Sequence, residues 1–104
     1  MQLFEIALPD VDAHAEDYGY ERFAWKEEAL ELAGGYTVLG KGRGAWRDPK
    51  TDIVWAETMH WYQVACDVNT MSDLVAHAFR LFPDQKAIFY AEIGWATIRN
   101  RREA

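Results

Sequence analysis

The apolar positions of this chain fall into a short alternating series of strand-like and helix-like stretches. Leu3 to Leu8 (LFEIAL) is apolar on both faces apart from Glu5 and closes at Pro9-Asp10. So short an apolar run, bounded by a turn signal, predicts a buried central strand. Asp10 to Gly19 is acidic and without a clear period, and reads as a loop or an irregular helical entry. From Tyr20 the spacing turns helical. Phe23, Leu30 and Ala33 form a stripe, Trp25, Ala29 and Leu32 widen it, and Lys26, Glu27, Glu28 and Glu31 are expected to face water. Gly34-Gly35 stops this helix, because glycine enters the left-handed cap conformation without a side-chain penalty.

Two long strands follow, Tyr36 to Trp46 and Ile53 to Cys66, joined by Arg47-Asp48-Pro49-Lys50-Thr51-Asp52, where Asp-Pro suits a tight turn. Thr70-Met71-Ser72-Asp73 has the form of a capping box with Asp in place of Glu or Gln, and predicts the start of a second helix. That helix carries Met71, Leu74, Val75, Ala78, Phe79 and Phe82 on one stripe and ends at Pro83. Ala87 to Ile98 (AIFYAEIGWATI), apolar except for Glu92, is the last strand, and Arg99 to Ala104 is expected to fray. The order β-α-β-β-α-β predicts a ferredoxin-like α+β fold, residues 1–104 forming one domain with both helices on one face of a four-stranded antiparallel sheet. The opposite face would then expose Trp55, Trp61 or Tyr62, and Phe89 or Tyr90, according to pleat. So large an apolar surface predicts oligomerisation with cyclic symmetry.

Composition adds limits. The formal net charge is −6, from 17 acidic and 11 basic residues, which disfavours a nucleic-acid binder, since phosphate contacts need clustered Lys and Arg. Cys66 is the one cysteine, so no intrachain disulfide forms, as suits a reducing compartment. No apolar run approaches the ~20 residues that span a bilayer, and Met1 to Glu5 lacks the basic start of a secretory signal. These features predict a cytoplasmic protein without membrane contact.

Candidate chemistry concentrates in the hairpin from Gly34 to Cys66. Gly40, Gly42 and Gly44 recur at period 2 and strip one strand face of side chains, which weakens a strand unless a ligand or another backbone approaches. Glu57 shares a strand face with Trp55, Met59 and Trp61, where a carboxylate is costly to desolvate unless paired or held for function. Pairing with Arg43 or Arg47 across the hairpin is the structural alternative. Trp46, Trp55 and Trp61 offer π-faces to a cation, each contact worth about 0.5–2 kcal/mol, or they serve packing alone. Gly40-Lys41-Gly42-Arg43-Gly44 lacks the following helix of a phosphate loop. Instead, its amides suit a carboxylate. His14, His60 and His77 have no paired ligand spacing, so neither a metal site nor a cofactor is expected. Ser72 and Cys66 are not in settings that activate a nucleophile.

The hairpin residues carry two resemblances. Gly35, Thr37-Val38, Gly44, Trp46-Arg47-Asp48, Glu57 and Gln85 with Ile88 resemble an uncharacterised family of small bacterial and phage proteins with ferredoxin-like or PII-like folds. Gly44, Trp46-Arg47, Glu57, Val64-Ala65-Cys66 and Asp84-Gln85 resemble the phage S-adenosylmethionine lyases, also called SAM hydrolases, with Trp46 standing where that family has a tyrosine. The resemblance implies a PII-like homotrimer with sites between subunits and a sulfonium substrate. The substrate's own carboxylate would displace methylthioadenosine and leave homoserine lactone. It makes Glu57 the essential acidic residue, with Gly44, Trp46 and Arg47 among the matched positions, in the cytoplasm of a phage host. The reading of the hairpin itself adds Trp55, Trp61 and Gly42 to the expected substrate-binding residues. The alternative is a non-catalytic PII-like ligand binder, or an acidic inhibitor of a host protein presenting Asp10, Asp12, Glu16 and Asp17. A third reading gives the aromatics to assembly only.

Overall fold

The computed structural model describes residues 1–101. Its elements are β1 (Gln2–Pro9), α1 (Gly19–Ala33), β2 (Thr37–Arg47), β3 (Val54–Cys66), α2 (Val68–Leu81) and β4 (Tyr90–Trp95). The four strands form one antiparallel sheet in the order β2-β3-β1-β4, the ferredoxin-like arrangement expected from the element order. Phe4, Ile6, Leu8, Tyr62 and Val64 point to the helix side and meet Trp25, Ala29, Met71, Leu74 and Ala78 in one core. Even-numbered residues of β3 thus face the helices where β1 pairs with it. Odd-numbered ones face away, placing Trp61 on the open side and Tyr62 inside.

The helices differ in detail from the sequence expectations. In α1 the buried face is Arg22, Trp25 and Ala29, whereas Phe23 and Leu30 are 56% and 46% exposed. Apolar residues stand on both candidate stripes, and the indole decides between them: Trp25 is fully buried and its Nε1 donates to the Leu74 carbonyl at 3.0 Å. Gly34 caps α1 at a left-handed φ of 80°. Helix α2 starts three residues before the expected box, because the Asp67 side chain accepts from the Thr70 amide at 2.7 Å and caps the first turn. Phe79 is 42% exposed, while Phe82, at the C-terminal cap, is fully buried.

Strand β4 is shorter than the Ala87–Ile98 run, although Ala7 N–H to Phe89 O and Ala96 N–H to Met1 O extend its contact with β1. Of the expected polar tail, residues 102–104 lie outside the described residues. No helix among those described is long and apolar enough to cross a membrane.

The position of the site follows from unequal strand lengths. β1 ends at Pro9, opposite Met59, while β2 and β3 continue as a two-stranded overhang to Arg47 and Val54. The molecule measures 59 × 27 × 23 Å, with a radius of gyration of 15.1 Å against the roughly 13 Å of a compact chain this long. The hairpin end is closed by Asp48, whose amide donates to Ile53 O and whose carboxylate accepts from Lys50 N–H.

Candidate ligand-binding site

Past Pro9 the Asp10 amide still donates to the Thr58 carbonyl at 3.2 Å, but beyond it the edge of β3 at Ala56 and Glu57 has no neighbouring strand, and a cavity of about 450 Å³ lies along it. The loop after β1 forms one wall through Asp10, Asp12 and Ala13, and the segment after α2 forms another through Asp84, Gln85 and Lys86. Arg43, Trp46, Trp55 and Glu57 come from the hairpin. A second cavity of about 390 Å³ continues across the open face of the sheet and shares Trp46, Glu57 and Gln85 with the first. Gly44, Met59, Trp61 and Phe89 help to line it.

Both walls are fixed by hydrogen bonds rather than by regular structure. Asp12 Oδ1 accepts the amides of His14 and Glu16, folding the acidic loop on itself. Arg22, only 9% exposed, donates Nη1 to the carbonyls of Pro9 and Asp10 and Nη2 to Asp17, so its buried charge is hydrogen-bonded and paired. The Tyr18 hydroxyl and the Ala13 amide both donate to the Asp84 carboxylate, tying the loop to the segment after α2. Burial, with the adjacent Asp84 carboxylate second, keeps the Tyr18 hydroxyl protonated far above ordinary pH. On the outer side His60 Nε2 lies 2.6 Å from Asp10 Oδ1 and Lys41 lies 3.7 Å from it. The hydrogen bond to His60 holds the Asp10 carboxyl below its usual range, with Lys41 and Arg22 adding to the effect.

Glu57 is treated differently. Its cross-strand partner is Gly44, which has no side chain, and its neighbours on the same face are Trp46, Trp55 and Met59. Among the described residues it forms no hydrogen bond or ion pair. Burial pushes its carboxyl upward, and the charge of Asp84 adds to this. Lys86 Nζ stands 5.7 Å from the Trp55 ring centroid, so that indole already faces a cation.

The candidate residues from the sequence therefore separate. Glu57, Trp46 and Trp55 line the first cavity; Glu57, Trp46, Trp61 and Gly44 line the second. Gly42 lies beneath Trp61, where an added Cβ would come within 3.3 Å of the indole Nε1. Arg47 sits at the hairpin end and pairs with Asp52 at 3.0 Å, away from both cavities. Arg43 is the hairpin arginine at the site. Tyr18 and Lys86 had no signal in the sequence, Arg43 was marked only as a structural partner for Glu57, and Asp10 only as part of an acidic surface. Asp84 and Gln85 were marked only through the resemblance.

No group of three or more His, Cys, Asp or Glu among the described residues is disposed to hold a metal ion. The fold and site together define a ferredoxin-like α+β protein with an acidic, indole-lined cleft beside an overhanging hairpin. Among solved structures it is similar to the divalent cation tolerance protein Cut A1 from Thermus thermophilus, with a TM-score of 0.64 and 13% identity over 92% of this chain and 86% of that one. That likeness extends to the fold. No family model and no curated protein matches the chain.

Proposed function

We propose that the chain is a lyase acting on S-adenosylmethionine, yielding methylthioadenosine and homoserine lactone. The observation that carries this reading is Glu57: an unpaired, partly desolvated carboxylate flanked by two indoles in a cleft sized for a small ligand. A carboxylate beside π-faces suits a compact organic cation, and a sulfonium is one.

The reaction asks little of the protein chemically. The substrate carboxylate oxygen attacks the γ-carbon, the carbon–sulfur bond breaks, and its electron pair neutralises the sulfonium. No proton moves, so Trp46 in place of a tyrosine does not block the step. Both reacting charges disappear along the path, and replacing water by indole and strand surface favours such a reaction. Folding the substrate so that its own carboxylate reaches the γ-carbon supplies the rest. In this reading Glu57 anchors and orients the positive end of the substrate, and Trp46 and Trp55 exclude water.

The overhang, with Ile53, Val54 and Trp55 exposed, supports assembly as a homotrimer whose hairpins complete neighbouring sites. The acidic-inhibitor alternative is weakened by the use of its carboxylates at home: Asp10 serves His60, Asp12 the loop amides and Asp17 Arg22. The experiment is incubation with S-adenosylmethionine and chromatography for methylthioadenosine. Product that disappears in Glu57→Gln supports the proposal. No product, or undiminished turnover in that variant, overturns it.

A further inference from the structure

The two cavities meet at Trp46, Glu57 and Gln85 but differ in chemistry. The first carries Asp10, Asp12, Asp84, Arg43 and Lys86. Beyond the shared residues, the second has no ionisable group. Its surfaces are the Trp61 and Phe89 rings, 5.7 Å apart and edge to face, with Met59 and Ile88 beside them and Gly44 as floor. A Cβ built on Gly44 meets nothing within 4 Å, so free space lies directly above the strand there. Gly42 has the complementary role, since its missing side chain lets the Trp61 indole lie across β2 as a wall. The Gln85 side chain stands at the junction and has no hydrogen-bond partner among the described residues, leaving both a donor and an acceptor free.

We propose that the second cavity is a subsite for a flat, neutral heteroaromatic group. The cleft then takes a bipartite ligand, with its charged head at Glu57 and its ring system against Trp61 and Phe89, read at its edge by the Gln85 amide. This rests on the sulfonium reading above and extends it, because it assigns the nucleoside half of the ligand to a separate, separable surface. Each cavity lies within the roughly 300–1,000 Å³ of small-molecule sites. A ring stacked on indole and reached by a free amide gains both apolar burial and hydrogen bonds.

The test uses two half-ligands, methylthioadenosine for the ring and S-methylmethionine for the charged head, titrated calorimetrically into the full chain and its Gly44→Val and Gln85→Ala variants. The valine fills the free space on the cavity floor, and Gln85→Ala removes the amide with no core contact at risk. Gly44→Val is expected to weaken methylthioadenosine by about tenfold or more and Gln85→Ala by several-fold, with S-methylmethionine changed by less than about twofold. Equal losses for both half-ligands overturn the inference, as does methylthioadenosine that fails to bind the wild type or is indifferent to both changes. Absence of S-methylmethionine binding and of product from S-adenosylmethionine would count against the lyase reading alone, since methylthioadenosine binding lost in Gly44→Val would still establish the ring subsite.

Discussion

Gly42 and Gly44 lie on one face of one strand, neither at positive φ, yet valine should have opposite effects at the two positions. Strand propensity alone makes both substitutions stabilising by about 0.5–1 kcal/mol, because glycine costs more backbone entropy and packs nothing. At Gly44 a Cβ meets nothing within 4 Å, so the propensity gain stands. At Gly42 the Cβ itself would lie 3.3 Å from Trp61 Nε1 and 3.6 Å from Cδ1, and the two methyls of valine reach further into the same ring. The indole must turn away, which forfeits an aromatic pair with Phe89 worth about 0.5–1.5 kcal/mol and adds overpacking strain of about 1–3 kcal/mol. Gly44→Val should therefore exceed Gly42→Val in stability by about 2 kcal/mol. For a domain near this size that separates their midpoints by roughly 8 °C or more. Thermal melts followed by circular dichroism at one fixed protein concentration measure the difference, the fixed concentration removing mass-action effects of any assembly. Gly42→Val at or above wild-type stability would refute the claim that Trp61 is seated on the glycine.

Three further outcomes rest on titration and burial. Asp10 has a lowered pKa in the fold, so its stabilising contribution is complete above its unfolded value near 4 and is lost as pH falls through the lower folded value; urea melts from pH 7 to pH 2 should show wild type losing its advantage over Asp10→Asn across that window. Glu57 has a raised pKa, so its penalty develops as pH rises from the unfolded value near 4.3 through the folded one, and Glu57→Gln should melt higher than wild type at pH 7 but not at pH 4. Burial pushes the Cys66 thiol up, with Asp67 adding to the effect, so Cys66 in the native protein should resist iodoacetamide at pH 7 and label at the rate of unfolding.

The ferredoxin-like arrangement was legible from the element order, and the shared face of Trp55, Glu57, Met59 and Trp61 from strand alternation, which is local. The register was not legible: turn geometry fixes it, and it sets Glu57 opposite Gly44 where Arg43 or Arg47 was a candidate partner. The buried face of α1 was not legible. Tyr20, Phe23 and Leu30 make as good a stripe as Trp25 and Ala29, and the choice depends on a distant carbonyl, that of Leu74, able to accept from an indole. The helix α2 start was misread for a related reason. Two capping signals lie close together, and Asp67 wins because β3 runs to Cys66 and delivers it in extended conformation. The walls of the cleft were beyond any local pattern, since Asp10 to Ala13 and Asp84 to Lys86 are far apart in sequence and are joined by the bonds of Tyr18 and the Ala13 amide to Asp84.

These contacts explain why a cleft exists at this point. β1 ends at Pro9, with the Asp10 amide making a last bond to the Thr58 carbonyl, while β3 runs on, so the sheet narrows from three strands to two at Met59. A bare strand edge beside an apolar hairpin would invite pairing with another chain. Here the loop and the segment after α2 flank it, and the bonds of Asp84 to Tyr18 and Ala13 hold them in place. The walls that protect the edge bring Asp84 to the same cavity as Glu57, and Gly44 denies Glu57 a cross-strand cation. The fold thus concentrates negative charge where the sheet is thinnest and leaves Glu57 without a partner, an arrangement that a cationic ligand would relieve.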